Sequence, residues 1–342
     1  MNIVNMTRRG LLRTAGVGAS VLAMPAIVRA APAQVNIAFF LSTSPFMIAK
    51  GEGWIDEAAK TKVNWIEVGS GAEINTGVAA GSMDLGFGIG SSPTAAGISQ
   101  GIPYEVVAMM DNIGPAEEMT VRKSANIKTP ADFKGKKVAT PFGSTSHFRL
   151  LGFLKTNGLS QSDVTVLDMK PPAIVAAWSR GHIDGAYVWA PAKSKILGDG
   201  GQVFRTYEAL DKAGYVIADL IVVRDGFAQS YPEAVTGFLR AYGKALAMYR
   251  DKPEAAAEIV AKQAGVTAAV ALSDMKEYDF VPPAQQTTPA WLGGTVSDPG
   301  KFAHVLKGTA DFLVEQHSIK NAPGLKVFQQ AIDTSYLKKA LA

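Results

Sequence analysis

Two short segments carry more glycine and hydroxyl groups than packing requires. Gly90-Ser91-Ser92-Pro93 follows the apolar run Phe87–Ile89, and Gly143-Ser144-Thr145-Ser146-His147 follows the segment Lys136–Pro141. Each reads as a strand that ends where a helix begins. Ser92 is placed to cap with Pro93 in the first helical position; Ser144 or Thr145 caps the second helix, whose Leu150, Leu151 and Leu154 form an apolar stripe. A helix start offers N–H groups with no partner inside the helix and roughly half a positive charge. Two such starts facing one cleft, with the hydroxyls of Ser91, Ser92, Ser144, Thr145 and Ser146, make an anion site without a formal cation. It suits a fully ionised oxyanion such as a sulfonate, which only accepts hydrogen bonds. Taken singly, either turn is no more than a good helix cap; the pair carries the expectation.

Two further residues stand at strand ends. In Lys170–Ala192, Pro171-Pro172 opens a helix, Gly181 closes it, and Asp184–Trp189 reads as a buried strand. Trp189 then lies at the strand's carboxyl end, where α/β sheets present ligands, and its indole suits an alkyl chain or a cation as well as a core position. Asp219 opens the apolar run Asp219–Val223. A carboxylate there is either a surface cap or the buried partner of an ammonium group.

Enzyme chemistry finds little support. His147 lies three residues from Ser144 at a helix start, a spacing that does not aim an imidazole at its own serine. The four histidines, His147, His182, His304 and His317, form no metal-spaced pair. Phe87–Pro93 has two glycines of a dinucleotide fingerprint but Ser91 in place of the third, and no Walker loop is present. No cofactor and no metal are expected. With no cysteine, disulfides, a CxxC redox pair, Cys-ligated zinc and a thiol nucleophile are excluded.

The formal net charge is +4 from 34 basic and 30 acidic residues. Arg8, Arg9, Arg13 and Arg29 are the only charged side chains of the first thirty residues. Without those four the chain holds thirty residues of each sign, and no basic patch with interleaved aromatics points to nucleic acid. Residues 1–30 read as an export leader: Thr7–Arg13 is basic with twin arginines, Thr14–Val28 is mildly apolar, and Val28-Arg29-Ala30-Ala31 is a small-residue cleavage pattern, cut after Ala30. The absence of a cysteine for a lipid anchor then points to a soluble protein of a Gram-negative periplasm.

About 310 remaining residues are more than one core usually serves, so two lobes are expected. Apolar runs alternating with helical patterns give an α/β class. The expected strands are Val35–Phe40, Val63–Val68, Asp84–Ile89, Tyr104–Met110, Lys136–Pro141, Val164–Met169, Asp184–Trp189 and Asp219–Arg224. Helices are expected to begin near Pro45, Gly71, Pro93, Ser144, Pro172 and Pro232, with a long helical stretch over Pro232–Ala264 and further helices over Thr267–Glu277 and Pro299–Glu315. The polar segment Arg122–Gly135 and the region Asp219–Arg224 read as junctions, so one lobe is an insertion in the other.

The segments PPAIVAAWSRGHIDGAYVWAPA, GIGSSP, PFGSTSHFRLL and FVPPAQQTTPAWLG resemble the aliphatic sulfonate, nitrate and taurine solute-binding family of bacterial ABC importers, its taurine-binding members above all. The likeness runs from Val35 to about Leu313. It implies a type II periplasmic binding protein: two α/β lobes with a ligand cleft and two crossover segments, lobe one over 34–121 plus 223–342 and lobe two over 122–222. It also implies a monomer serving a permease and its ATPase; the run TRRGLL separately resembles the twin-arginine (Tat) export signal. The family's sulfonate-binding turns match Gly90-Ser91-Ser92 and Ser144-Thr145-Ser146-His147; its aromatic wall matches Trp189, its ammonium-binding carboxylate Asp219, and another acid Glu117. Ser44 stands where taurine binders carry an acidic residue, which keeps unsubstituted alkanesulfonates and larger aminosulfonates in play. Nitrate and glycine betaine fit less well: Asp219 in the cleft would repel the first, and the second needs an aromatic cage.

Overall fold

The computed structural model describes residues 32–295 and 298–342; the leader expectation, including its twin-arginine export signal and cleavage after Ala30, lies outside them. The strands are β1 (Gln34–Phe39), β2 (Lys62–Glu67), β3 (Leu85–Gly90), β4 (Tyr104–Asn112), β5 (Glu117–Arg122), β6 (Lys137–Thr140), β7 (Thr165–Asp168), β8 (Gly185–Trp189), β9 (Gly201–Phe204) and β10 (Ala218–Arg224), followed by a small β11–β12 pair (Gly293–Thr295, Asp298–Pro299). The helices are α1 (Phe46–Gly51), α2 (Trp54–Ala59), α3 (Gly71–Ala79), α4 (Ser91–Ser99), α5 (Thr145–Thr156), α6 (Pro171–Ser179), α7 (Ala192–Gly198) and α8 (Tyr207–Lys212). After β10 come α9 (Asp225–Ser230), α10 (Pro232–Asp251), α11 (Pro253–Ala264), α12 (Ala268–Met275), α13 (Pro283–Gln286), α14 (Phe302–Glu315), α15 (Leu325–Gln330) and α16 (Ser335–Leu341).

Two five-stranded mixed sheets organise these elements, in the orders β2-β1-β3-β10-β4 and β7-β6-β8-β5-β9. In the first, β1 runs parallel to β2 and β3, and β10 returns antiparallel between β3 and β4. In the second, β6 is parallel to β7 and β8, and β5 is antiparallel to β8 and β9. Each sheet separates two apolar layers. Ile37, Phe46, Phe87, Ile221 and Phe238 pack on one face of the first sheet, and Ile74, Ile89, Val106, Leu220 and Leu306 on the other. The second sheet has Phe133, Leu150, Phe153 and Tyr187 on one face and Ile174, Trp178, Val188 and Ile196 on the other. Near-continuous apolar runs such as Val106–Met110 follow from burial on both faces.

Three expectations need correction. The lobe boundaries at 121/122 and 222/223 each fall inside a strand: β5 belongs wholly to the second sheet and β10 wholly to the first, so the crossings come at 113–116 and 213–217. The run EEMTVR opens with two acids and does not announce itself as a strand; its pairing with β8 and β9 is a long-range contact. The helical stretch Pro232–Ala264 is two helices, broken at Lys252 (φ −143°) because Pro253 excludes the helical conformation before it. Finally, α4 begins at Ser91 with Gly90 as its extended N-cap, so Ser92 is a helical residue rather than the cap.

Candidate functional site

The carboxyl ends of the parallel strands of both sheets meet across a cleft, the position where open α/β sheets bind ligands. A cavity there is lined by Ser42, Ser44, Gly71, Gly90 and Asp219 from the first sheet's side and by Glu117, Ser144, Thr145 and Trp189 from the second. Phe40, Phe46, Met110 and Tyr278 complete its apolar wall. Its free volume of ≈ 30 Å³ has room for about two or three waters, so a guest there is short.

Part of the cavity is built from helix starts. Gly71 opens α3, Gly90 caps α4 and Ser144 caps α5. Ser144 Oγ accepts from the His147 N–H at 3.2 Å and donates to the Pro141 carbonyl at 2.6 Å. Ser92 Oγ donates to the Ser144 carbonyl at 3.1 Å, which ties the two turns together. The approach is close enough that Gly90 has no room for a side chain: a Cβ there would lie 2.5 Å from Thr145 Cγ2. Gly71 is bare for the same reason, facing the Pro93 ring. The first turns of three helices therefore line one region, with the polarity that favours an anion.

Acidic groups line the same cavity beside these helix starts. Asp219 sits opposite Gly90 on one side and opposite Asp111 on the other, at the edge of the first sheet. Glu117 sits opposite Trp189 in the second sheet and accepts a hydrogen bond from Thr145 Oγ1 at 2.7 Å. Burial pushes the Glu117 carboxyl up to about 7, against the pull of the Thr145 hydroxyl and Arg149. Burial, with repulsion from Glu117 and Asp279 at Asp111 and from Asp111 and Glu117 at Asp219, holds both well above the usual carboxylate range. The cations near Glu117 have other partners: Arg149 pairs with Asp211 through one nitrogen while its Nε and Nη1 make no hydrogen bond, and Lys193 pairs with Glu277 and the Pro115 carbonyl. The region therefore has a surplus of carboxyl groups, the condition for attracting a guest's cation.

A family model, NMT1/THI5 like, matches residues 42–256. The chain belongs to this family. It is 35% identical over 292 residues to the taurine-binding periplasmic protein of Escherichia coli K12, covering 84% of this chain and 88% of that one. To a putative aliphatic sulfonates-binding protein of Bacillus subtilis it is 28% identical, covering 90% and 88%. Among solved structures, the alkanesulfonate-binding protein SsuA of Xanthomonas axonopodis pv. citri bound to MOPS superposes with a TM-score of 0.73 at 23% identity, over 89% of this chain and 99% of that one. The fold is thus that of the periplasmic binding proteins, with two α/β lobes.

In this NMT1/THI5 like chain the expected site residues divide. Ser44, Gly90, Glu117, Ser144, Thr145, Trp189 and Asp219 line the cavity. Ser91, Ser92, Ser146 and His147 are not among its lining residues. Ser91 Oγ accepts the Ala218 N–H at 3.3 Å, which fastens α4 to β10, while Ser92 serves the turn-to-turn contact. Ser146 is wholly buried within α5. The His147 ring stacks on Phe142 (4.2 Å, 9°) in a separate groove, and burial pushes its pKa down to about 4. Ser146 nevertheless faces the cavity-lining Glu117, whose carboxyl its hydroxyl pulls down. Glu118, beside Glu117, faces the other way and accepts from the N–H groups of Thr206 and Tyr207 at the start of α8. Among the described residues, no group of three or more His, Cys, Asp or Glu is placed to hold a metal ion, and no single helix is long and apolar enough to cross a membrane.

Proposed function

We propose that this protein is a periplasmic receptor that captures taurine, or a close organosulfonate, for import by an ABC permease and its ATPase. The observation that carries the reading is one small cavity lined both by helix starts and by the carboxyl of Asp219. That arrangement complements a short zwitterion: the sulfonate accepts from N–H and hydroxyl donors, and the ammonium faces carboxyl groups. The names of the relatives support the same ligand class and the same compartment.

Capture works by closure. Glu117, Ser144, Thr145 and Trp189 belong to one lobe; Ser44, Gly71, Gly90 and Asp219 belong to the other. A guest touching both sets favours the closed state by the contacts it makes only there. No chemistry is done on the guest: Ser144 Oγ is held by the Pro141 carbonyl and the His147 backbone, and the His147 ring lies in another groove. The protein acts as a monomer, with the two lobes supplying both halves of the site.

Calorimetry of the purified protein against taurine, ethanesulfonate, nitrate and glycine betaine tests the reading. Taurine is expected to bind most tightly, followed by ethanesulfonate. Tighter nitrate or betaine binding would overturn it, and turnover of any of the four would make the protein an enzyme.

A further inference from the structure

The taurine reading uses Asp219 but leaves Asp111 without a role. Asp111 is 0% exposed, and neither of its carboxyl oxygens has a hydrogen-bond partner. It is the direct cross-strand neighbour of Asp219 in the antiparallel β4–β10 pair. Directly opposed residues of such a pair project from the same face, with Cβ atoms about 5 Å apart, and like charges there destabilise the sheet. A buried carboxylate lacking any partner is more costly still, and relieves that cost by holding a proton.

The Asp219 backbone N–H pulls the Asp111 carboxyl down somewhat, but no side chain adds relief. Tyr242 of α10 faces the pair, but its hydroxyl donates to the Met110 carbonyl at 2.9 Å. Tyr278 and Asp279, beyond α12, face it from another side, and Asp279 adds negative charge. Glu117 faces it from across the cleft and adds more. Arg149 and Lys193 stand on Glu117's side and are paired with Asp211 and Glu277. No described cation is paired with Asp111 or Asp219.

We propose that Asp111 and Asp219 share one proton across the β4–β10 register, and that an ammonium entering the cavity drives this proton into solvent. The step is a balanced exchange. The carboxyl O–H bond breaks, the proton passes to buffer, and the guest's ammonium takes over the neutralising role between two carboxylates. No covalent bond to the guest forms. Asp111 does not line the cavity, so it is a positioning residue that acts through Asp219. Burial raises both groups, with repulsion from Glu117 and Asp279 added at Asp111 and from Asp111 and Glu117 at Asp219, in agreement with the geometry. A sulfonate without an amine has nothing to exchange and leaves the proton in place, so the pair distinguishes taurine from ethanesulfonate by proton count as well as by affinity.

The inference rests on the taurine reading, and the experiment separates the two. The heat of taurine binding is measured at pH 7 in phosphate and in Tris, whose ionisation heats differ. The expected result is proton release on taurine binding that falls by about one proton per taurine in Asp111→Asn, and none on ethanesulfonate binding. Taurine binding without proton release, or unchanged release in Asp111→Asn, overturns the shared proton while the receptor reading stands. If taurine does not bind, that reading fails, and the pair is judged in the ligand-free protein by infrared spectroscopy at pH 7. A protonated-carboxyl band lost in Asp111→Asn supports the shared proton, and its absence from the unsubstituted protein overturns it. Should Asp111→Asn fail to fold, Asp219→Asn serves the same infrared test.

Discussion

Ser92, at the start of α4 on the first sheet's side, donates its hydroxyl to the Ser144 carbonyl on the second sheet's side, 3.1 Å away. The two hydroxyl-rich turns therefore touch. With Gly90 against Thr145, this contact joins the first sheet's side to the second. A methyl group at Gly90 would lie 2.5 Å from Thr145 Cγ2, and overpacking of this kind costs about 1–3 kcal/mol. Because the clash exists only when the lobes meet, Gly90→Ala is expected to weaken taurine by about ten- to a hundredfold with little change in melting temperature. Calorimetry and thermal melting check this together. Unchanged affinity would show that the guest binds without the turns closing.

Asp219→Asn keeps the shape of the carboxyl end and removes its charge. A hydrogen bond to a charged group contributes about 1.5–3 kcal/mol, so taurine affinity is expected to fall by about ten- to a hundredfold while ethanesulfonate changes by less than threefold. The comparison of the two ligands in one variant is the measurement. Equal losses for both would show that the carboxyl does not read the amine.

Much of this site was legible in the sequence, for a physical reason. Glycine and serine at a strand-to-helix turn are local signals, and GIGSSP and PFGSTSH each place their helix start within two residues of where it lies. Trp189 and Asp219 stand at strand ends, and strand ends are visible as edges of apolar runs. What sequence did not resolve is which side chains of a turn face the cleft. Ser91 and His147 lie in the same short runs as Gly90 and Thr145, yet rotation about the helix axis sends them elsewhere. Asp111 carried the same signal as Asp219, a carboxylate at the edge of the run Tyr104–Met110, but the pairing of β4 with β10 that brings the two together is a contact over more than one hundred residues. The strand β5 was hidden because its partners, β8 and β9, lie more than sixty residues further on.

The buried carboxyls also predict how the empty protein responds to pH. Glu117 has its pKa raised to about 7 in the folded chain, above the ordinary glutamate value, so the folded state binds its proton more tightly than the unfolded state does. The stability this gives is fully present below the unfolded pKa and is lost as pH rises through about 7; the raised Asp111 and Asp219 act in the same direction. His147, lowered to about 4 by burial, opposes this slope only below its ordinary value of about 6.5. Between pH 6.5 and 8 the ligand-free protein is therefore expected to lose melting temperature steadily, and Glu117→Gln to flatten part of the loss. A melting temperature that stays level or rises over that interval in the unsubstituted protein would contradict the assignment. Saturating taurine should reduce the slope, since an ammonium stabilises the ionised carboxyls.

Trp189 separates two spaces rather than walling one. Its ring packs edge-on to Phe40 at 5.7 Å and lines the cleft cavity. It also lines a second cavity, formed by Leu41, Val68, Pro171, Pro172 and Val175 between the same two lobes. Trp189→Ala removes a shared apolar wall, and loss of such an anchor costs about 2 kcal/mol or more, so taurine and ethanesulfonate should both weaken by about thirtyfold. The same truncation joins the cleft to the second cavity, whose apolar lining accepts an alkyl chain. Hexanesulfonate is therefore expected to lose less affinity than ethanesulfonate in the variant, and the ratio of their dissociation constants to shift toward the longer ligand. Measuring both ligands in both proteins, with melting curves to confirm folding, decides the matter. Unchanged binding of the short ligands would make Trp189 a packing residue, and an equal loss for both chain lengths would mean that the two cavities remain closed to one another.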